Sequence, residues 1–427
     1  MLIIMEGFFL LLSMVVALLN GEEAWVSFLL TALGAIAVGA LCVFISRRGE
    51  QKRMRRADNF LIVSLSWIIF SIVGMVPYLC QTDMDVASAF FETMSGFTTT
   101  GATCINEIDV LPKSLLFWRA LTQWIGGLGI VVFSFALIPV YEMKNSNIYS
   151  AEVTGLGLDK LRPKIGATAR RVLLIYLILT SACAFCYWIG PMNLYDAVCH
   201  AFTTIATGGF STHSESIAYF HSSYIEYVAS LFMVVSSINF SLYYYMTIRR
   251  NRVLFQNEEV RVFLSYISIA VVIFMLLFYF APVPESAEDL LPKGFEETFR
   301  SALFHVSSVA TSTGFSAQKF DYVAWGASFW MPTVVIMAIG SCAGSTAGGI
   351  KVIRIIICAK SAFNELIQML HPRAVLGVRV GAARHAGQAL DAQPGFFGLG
   401  LILDKDHPVP DVSRAAVFAS FHRFSLL

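Results

Sequence analysis

Long apolar segments alternate with short polar ones along most of the chain, and their lengths predict the elements. A helix needs about 20 apolar residues to cross a bilayer. We predict spanning helices at residues 2–19, 24–46, 59–79, 116–140, 172–189, 224–246, 262–280 and 329–359. Residues 2–19 lack a basic start and a clean small-residue cleavage site, so we interpret them as a retained first span rather than a signal peptide.

Three further apolar segments, at residues 87–97, 194–204 and 295–309, are too short to cross a membrane. Each lies between two long spans and ends in a stretch that contains threonine and glycine. We interpret each as a half-helix that enters the membrane and returns as an extended segment. The partial negative charge at the C-terminal end of such a helix favours a cation.

The threonine–glycine stretches form an internal repeat, at residues 97–103, 203–210 and 309–316. Aligned on the Thr-Gly pair, Gly101, Gly208 and Gly314 lie 107 and 106 residues apart. A fixed period of this kind indicates a repeated architecture. The predicted fold is an all-α polytopic membrane protein with repeated helix, pore helix, filter and helix units around a central pore, preceded by an extra pair of spans.

Domain boundaries follow from this repeat. Residues 1–58 hold the extra pair of transmembrane helices, and residues 59–143 form the first pore repeat. A cytoplasmic loop and the second repeat occupy residues 144–253, and the third repeat occupies residues 254–370. Residues 371–427 form a tail of different character, without the pattern of the three repeats.

Composition agrees with a membrane protein, because 56% of the 427 residues are hydrophobic and only 14% are charged. A soluble domain carries about 25% charged residues. The net charge of +1 gives no sign of nucleic-acid binding. Lysine and arginine concentrate in the loops near residues 47–56, 144–171 and 249–261, which are therefore predicted to be cytoplasmic. The filter segments would open to the outside.

The repeated stretch suits cation coordination by backbone carbonyls, which replace the water shell of a dehydrated ion. Glycine permits backbone angles that a Cβ forbids. A single Thr-Thr-Gly is as easily a loop, but three copies in one register favour a pore. The candidate filter residues are Thr99, Thr100, Gly101, Thr207, Gly208, Gly209, Thr313, Gly314 and Phe315.

The last predicted span is interrupted at residues 340–351 by four glycines among serine, cysteine and threonine, which are poor helix formers. We favour an unwound intramembrane loop that acts as a gate. Small-residue helix packing is an alternative, and a phosphate loop is disfavoured because Gly-Lys-Ser/Thr is absent. The candidate gate residues are Gly340, Gly344, Ser345, Thr346, Gly348, Gly349 and Lys351.

Charged residues in the pore helices allow two interpretations, a functional role and a structural one. Charge inside a membrane indicates a functional role by default. We favour the alternative that several of them cap or anchor the half-helices. Arg119 would reach the interface or fix a pore helix, and Asn239 would bond a neighbouring helix. His200 and His305 read as packing residues. The sequence shows no nucleophile–base arrangement and no set of metal ligands, so we do not predict an enzyme. The charged residues in question are Glu92, Asp196, Glu296, Glu297 and Arg300.

Several of these motifs resemble those of one family. Residues 91–103 resemble the first pore motif of TrkH-type bacterial potassium transporters, and residues 118–129 resemble the helix that follows it. The second and third filters and residues 340–351 match in order. The resemblance implies potassium uptake through the bacterial inner membrane without a cofactor. It also implies a homodimer docked on a cytosolic nucleotide-binding regulatory ring. Potassium would bind at Thr100, Gly101, Thr207, Gly208, Thr313 and Gly314.

The chain departs from that family after residue 376. The family has four pore repeats, whereas no Thr-Gly motif lies near residue 420, and residues 377–427 contain no run of span length. A frameshift that leaves a non-conducting remnant is one explanation, and a genuine three-repeat variant is another. A sodium-coupled secondary transporter of a different fold is a further alternative, although such proteins usually show inverted repeats.

Overall fold

A computed structural model describes residues 2–46, 56–145, 162–249, 253–281, 292, 294–317 and 327–371. All of them belong to one compact unit, Met1–Ala382. The tail at residues 372–427 and most of the basic loops lie outside the described residues. Helices form the regular structure of the described part, joined there by a single isolated β-bridge between Ile339 and Ile350.

The helices follow the predicted order. Within the described ranges, five helices are long and apolar enough to cross a membrane. The helices are α1 Leu2–Asn20, α2 Trp25–Ser46, α3 Arg56–Gly74, α4 Val76–Gln81, α5 Val86–Phe97, α6 Lys113–Asn145, α7 Arg162–Ile189, α8 Leu194–Ile205, α9 Ser223–Ser236, α10 Phe240–Arg249, α11 Val253–Gln256, α12 Glu258–Phe280, α13 Phe295–Ala310, α14 Ala327–Ala338 and α15 Val352–Leu370.

The first two helices form a hairpin that packs on the first repeat. Gly39 of α2 lies close to Ile4 of α1, so the two backbones approach closely. The turn between them holds Glu22, whose carboxylate accepts hydrogen bonds from the backbone N–H groups of Lys113 and Ser114 at 2.8 and 3.2 Å. These N–H groups open α6 and have no partner inside that helix. The hairpin therefore caps the long helix of the first repeat.

The three short helices lie where the sequence predicts half-helices, within one residue at each end. Helices α5 and α8 have 12 residues and α13 has 16, so at 1.5 Å per residue they reach about 18 to 24 Å. Asp85 caps α5 and Asn193 caps α8 by accepting backbone N–H groups. All three are too short for a bilayer core of about 30 Å.

One predicted span is divided into two helices, and another is interrupted at a single residue. The predicted span at 59–79 consists of α3 and α4, separated only by Met75, just before Pro77, which lacks a backbone donor. Met75 keeps helical backbone angles, and residues 64–81 remain one apolar span. The predicted span at 224–246 divides into α9 and α10 at residues 237–239. Ser237 and Asn239 there are residue types that compete for backbone hydrogen bonds. The predicted interruption at 340–351 is confirmed, between α14 and α15.

The interior consists of two apolar clusters that meet at the third pore helix. The first, around the opening hairpin and the first two repeats, includes Phe97, Trp118 and Phe304. The second, around the third repeat, includes Phe263 and Val306. Since Phe304 and Val306 both belong to α13, this helix joins the two clusters. Large apolar side chains also cover the outside, as expected for a surface in contact with lipid.

Candidate ion pathway

The three filter segments share one backbone conformation. In each, a residue with positive φ is followed two positions later by a glycine with positive φ. The pairs are Thr99 and Gly101 (φ 55° and 78°), Thr207 and Gly209 (53° and 79°), and Ser312 and Gly314 (54° and 82°). Residues other than glycine rarely adopt this region. The repeat therefore extends to the backbone angles and is not limited to the sequence.

This conformation corrects the alignment of the second repeat. Gly209, rather than Gly208, has the backbone angle of Gly101 and Gly314. The backbone hydrogen bonds agree, because the N–H of Thr100, Gly208 and Thr313 each bonds the carbonyl five residues earlier. Alignment on the Thr-Gly pair is therefore one residue off in the second repeat. Gly208 replaces the threonine found at this position in the other two.

Consecutive filters touch through a glycine and a carbonyl. A Cβ placed on Gly101 would fall within 3.0 Å of the carbonyl oxygen of Gly208. A Cβ on Gly209 would fall within 3.0 Å of the carbonyl oxygen of Thr313. Real Cβ atoms essentially never approach so closely. At Gly314, no heavy atom of the described residues lies within 4 Å of such a Cβ. The first filter therefore adjoins the second, and the second adjoins the third.

Side chains brace the first and third filters in the same way. The Ser95 hydroxyl donates to the carbonyl of Ala102 at 2.6 Å, and the Ser308 hydroxyl donates to that of Phe315 at 2.7 Å. These bonds tie the end of each pore helix to the residue after the filter glycine. The pore helix and its filter thus form one rigid piece.

A buried ion pair joins the first filter to the second. The Arg119 Nε donates to Glu92 Oε1 at 2.7 Å, and both side chains are almost fully buried. Glu92 also accepts hydrogen bonds from Thr103 and Cys104, just after the first filter. Arg119 donates to the carbonyl of Ser211 at 2.9 Å and stacks on the Phe210 ring at 3.7 Å. The prediction that Arg119 fixes a pore helix is confirmed.

The remaining pore-helix charges also bond to protein. Asp196 accepts from the Thr212 hydroxyl at 2.6 Å, after the second filter. Arg300 bonds Glu226 at 2.7 Å and Glu296 at 3.0 Å. Such pairs anchor the half-helices, as the favoured interpretation expects. Asn239 bonds the backbone of Ser241 and lies against Gly344.

The two buried histidines occupy the same position as Glu92, nine residues before the filter glycine. His200 bonds the carbonyl of Asp196 through Nδ1 at 2.9 Å, so its Nε2 accepts from the Ser211 hydroxyl at 3.0 Å in the neutral form. His305 bonds Thr333 through Nε2. Equivalent positions therefore carry different chemistry in the three repeats. The sequence missed this because the Thr-Gly alignment displaces the second repeat by one residue.

A third histidine lies outside the spans, between two repeats. His213 has Asp109 Oδ1 3.0 Å from Nδ1 and Asp196 Oδ2 3.3 Å from Nε2, and its ring stacks on Tyr219 at 3.6 Å. Both ring nitrogens donate only in the charged form. Partial burial opposes that charge, but the two carboxylates outweigh it and raise the pKa of His213. The cluster joins the loop of the first repeat to the pore helix of the second.

The glycine-rich segment forms a closed loop with a narrow neck. Gly340 donates its N–H to the carbonyl of Ile350 at 2.9 Å, and Ile350 donates to Ala338 at 3.1 Å. A Cβ at Gly340 would fall within 3.0 Å of the backbone of Gly349, so only glycine permits this approach. The neck brings the ends of α14 and α15 together.

Backbone groups on either side of the break in the second repeat hold this loop. Cys342 donates its N–H to Ser237, and Gly344 accepts from Phe240, both at 3.2 Å. From α12, Glu259 accepts the N–H of Ala343 at 2.7 Å. The span prediction missed the interruption at residues 237–239. Backbone groups at this interruption form hydrogen bonds that hold the loop.

The loop also contacts two filters directly. The Thr346 hydroxyl lies 3.2 Å from that of Thr207 and donates to the carbonyl of Ile205 at 3.1 Å. Gly348 donates its N–H to the Ser312 hydroxyl at 2.6 Å. Lys351 donates to the carbonyl of Ala347 within the loop. The predicted filter and gate residues are thus brought together in space.

The fold and this site define a polytopic membrane protein in which successive pore helices each deliver a glycine-containing segment against the next. The family described as TrkH, cation transport protein, matches residues 26–403, and the chain belongs to this family. The family predicted from the sequence is therefore confirmed, whereas the predicted lack of a fourth repeat concerns residues 377–427, outside the described residues.

Named relatives agree. The Trk system potassium uptake protein TrkH of Salmonella typhimurium is 36% identical over 403 residues, which cover 93% of this chain and 81% of the relative. TrkH of Escherichia coli K12 is 37% identical, over 90% of this chain and 78% of the relative. The crystal structure of the potassium transporter TrkH from Vibrio parahaemolyticus matches with a TM-score of 0.77 and 31% identity, covering all of this chain and 81% of that one. The chain is a multi-pass inner-membrane protein.

Proposed function

We propose that this chain takes up potassium ions through a pathway lined by the three filter segments. The observation that carries the proposal is the shared backbone conformation of these segments, directly after three pore helices. The relatives named above as potassium uptake proteins support the choice of ion.

The geometry suits a cation for two reasons. Helices α5, α8 and α13 end immediately before the filters, so the negative ends of three helix dipoles lie beside them. Backbone carbonyls in the filters supply oxygen ligands without a charged side chain. The proposed potassium ligands are the carbonyls or hydroxyls of Thr100, Gly101, Thr207, Gly208, Thr313 and Gly314, within the filter set that also includes Thr99, Gly209 and Phe315.

The loop at residues 340–351 is the proposed gate. Its contacts with Thr207 and Ser312 support this role, because they place it against two of the three filters. Moving the loop away from the filters would break the hydrogen bonds of Thr346 and Gly348, each worth about 0.5–1.5 kcal/mol net. Such an energy suits an element that opens and closes.

Assembly is a separate part of the proposal. The family resemblance supports a homodimer docked on a cytosolic nucleotide-binding regulatory ring. Co-purification of differently tagged copies tests the dimer. Nucleotide-dependent rubidium uptake in membranes that contain the ring tests the regulation. Copies that never co-purify would refute the dimer.

Rubidium uptake in bacteria that lack their own potassium uptake systems tests the central proposal. We expect uptake above the empty-vector level, and its loss in a Gly208→Arg variant, which adds a charged side chain beside the filters. Gly294→Arg is the matched control, since Gly294 is exposed and a Cβ there meets no described atom within 4 Å. Absent uptake with the protein present in the membrane would refute the proposal. Equal uptake by both variants would refute the assigned pathway.

A further inference from the structure

The second filter lacks a brace that the other two possess. In the first filter the hydroxyls of Thr98 and Thr100 lie 2.8 Å apart. In the third, those of Thr311 and Thr313 lie 2.7 Å apart. The corresponding residues of the second filter are Ala206 and Gly208, which have no hydroxyl. A hydroxyl pair therefore cannot stiffen this segment.

The amide of Gln123, on α6 of the first repeat, occupies the vacant place. A Cβ on Gly208 would fall within 3.0 Å of three atoms of this amide. Gln123 Nε2 donates to the carbonyl of Gly208 at 2.8 Å, and its Oε1 accepts the N–H of Phe210 at 3.1 Å. Gln123 is fully buried. One side chain thus engages the second filter on both sides of Gly209.

We propose that Gln123 is the positioning residue of the second filter, and that its two hydrogen bonds set the preference of the pathway for potassium over smaller ions. This inference rests on the proposed function. It adds a residue from a different repeat to the determinants of ion choice.

The physical argument concerns how far a filter carbonyl can move. A smaller ion needs its oxygen ligands closer together, so a filter that yields admits sodium more readily than one that is held. A buried hydrogen bond resists such movement because breaking it leaves polar groups without partners. The Gln123 amide bonds through both ends, so it cannot rotate without losing both contacts. Gly208, without a side chain, has no local brace to replace them.

A purely structural role would have a different signature. If Gln123 only joined α6 to the second repeat, its loss would lower the amount of protein in the membrane and the uptake of every ion alike. A positioning role changes the ratio of rubidium to sodium uptake per molecule. This ratio does not depend on expression level.

The test compares that ratio among variants in cells without other potassium uptake systems. Gln123→Leu and Gln123→Met each remove both bonds, the second with an unbranched side chain closer in shape to glutamine. Gln81→Leu is the matched control, because Gln81 is a partly buried amide on α4 that bonds Ser27 away from the filters. We expect the ratio to fall about tenfold for both Gln123 variants, the size expected for one or two net hydrogen bonds, and to stay unchanged for Gln81→Leu.

A compensating pair provides a second test. Gly208 does not have positive φ, so its backbone accepts threonine, and the three heavy atoms nearest a Cβ there all belong to Gln123. Gly208→Thr alone should reduce uptake, and adding Gln123→Ala should restore uptake and part of the ratio. An unchanged ratio in the Gln123 variants, with rubidium uptake intact, would overturn this inference alone. If Gln123→Leu is absent from the membrane, the comparison of Gly208→Thr with the double variant Gly208→Thr/Gln123→Ala tests this inference instead. Absent uptake by the unaltered chain would overturn the proposed function and this inference with it.

Discussion

Replacement of a filter glycine by alanine should be far more damaging at Gly209 than at Gly314. Both have φ near +80°, so alanine incurs about 1–2 kcal/mol of backbone strain at either position. The surroundings differ. A Cβ at Gly209 would overlap the backbone carbonyl of Thr313, whereas at Gly314 no atom of the described residues lies within 4 Å. The two variants thus separate neighbour contact from backbone strain.

The overlap at Gly209 is with backbone, which cannot rotate aside as a side chain can. Overpacking of this kind typically adds about 1–3 kcal/mol. The difference between the variants is therefore roughly 5- to 150-fold in the population of correctly placed filters. Gly101→Ala should resemble Gly209→Ala, since its Cβ would overlap the carbonyl of Gly208.

The measurement is the initial rate of rubidium uptake, divided by the amount of protein in the membrane. We expect the rate for Gly209→Ala to be at least about fivefold below that for Gly314→Ala. Equal losses at the two positions would refute the reasoning. Strain at positive φ would then dominate, or an element outside the described residues would pack against the third filter.

Three further predictions concern the contacts around the filters. In the charged form, His213 bridges Asp109 and Asp196. Folding raises the pKa of His213 above 6.5. The bridge therefore stabilises the protein fully below pH 6.5, and this stabilisation is lost as the pH rises through the pKa of the folded protein. The melting temperature should therefore fall with rising pH in this range more for the unaltered protein than for His213→Gln. Arg119→Met leaves a buried carboxylate unpaired and should destabilise the protein by about 3–5 kcal/mol, measured by thermal unfolding in detergent; an unchanged melting temperature would contradict this. Thr346→Val removes the hydroxyl contacts of the loop with Thr207, Ile205 and Ser236. It should raise rubidium uptake by roughly two- to tenfold, given the net value of a hydrogen bond; equal or lower uptake would count against the gate.

The sequence predicted the pore helices to within one residue because their signals are local. Asp85 and Asn193 cap α5 and α8, and apolar residues stop where the filter begins. The glycines at residues 340 to 349 likewise predicted the unwound loop. Length, capping and helix propensity determine such features, so they require no knowledge of the neighbouring helices.

The register of the second filter was predicted wrongly, because the alignment used the Thr-Gly pair alone. The sequence Thr207-Gly208 matches Thr100-Gly101. In the structure, however, Gly209 has the backbone conformation of Gly101 and is its equivalent in the second repeat. A signal for the correct register was present, because Gly209-Phe210-Ser211 repeats Gly314-Phe315-Ser316. The contact of Gln123 with Gly208, 85 residues away, could not be read from the repeat. The break at residues 237–239 was missed because it depends on a distant segment. The backbone groups that lose their helical partners there bond to the loop at residues 340–351.

The proposed filters contact the proposed gate through Thr207 and Ser312, and this contact has an energetic consequence. Thr207 and Ser312 are the positive-φ residues of the second and third filters. Their hydroxyls are also the groups that meet Thr346 and Gly348 of the loop. Positive φ is strained for both residue types, and the loop contacts help to hold them there. In the proposed mechanism, displacement of the loop removes these contacts while the strain remains. The second and third filters should therefore become less rigid when the gate opens, so that gating and ion choice are linked through these two hydroxyls.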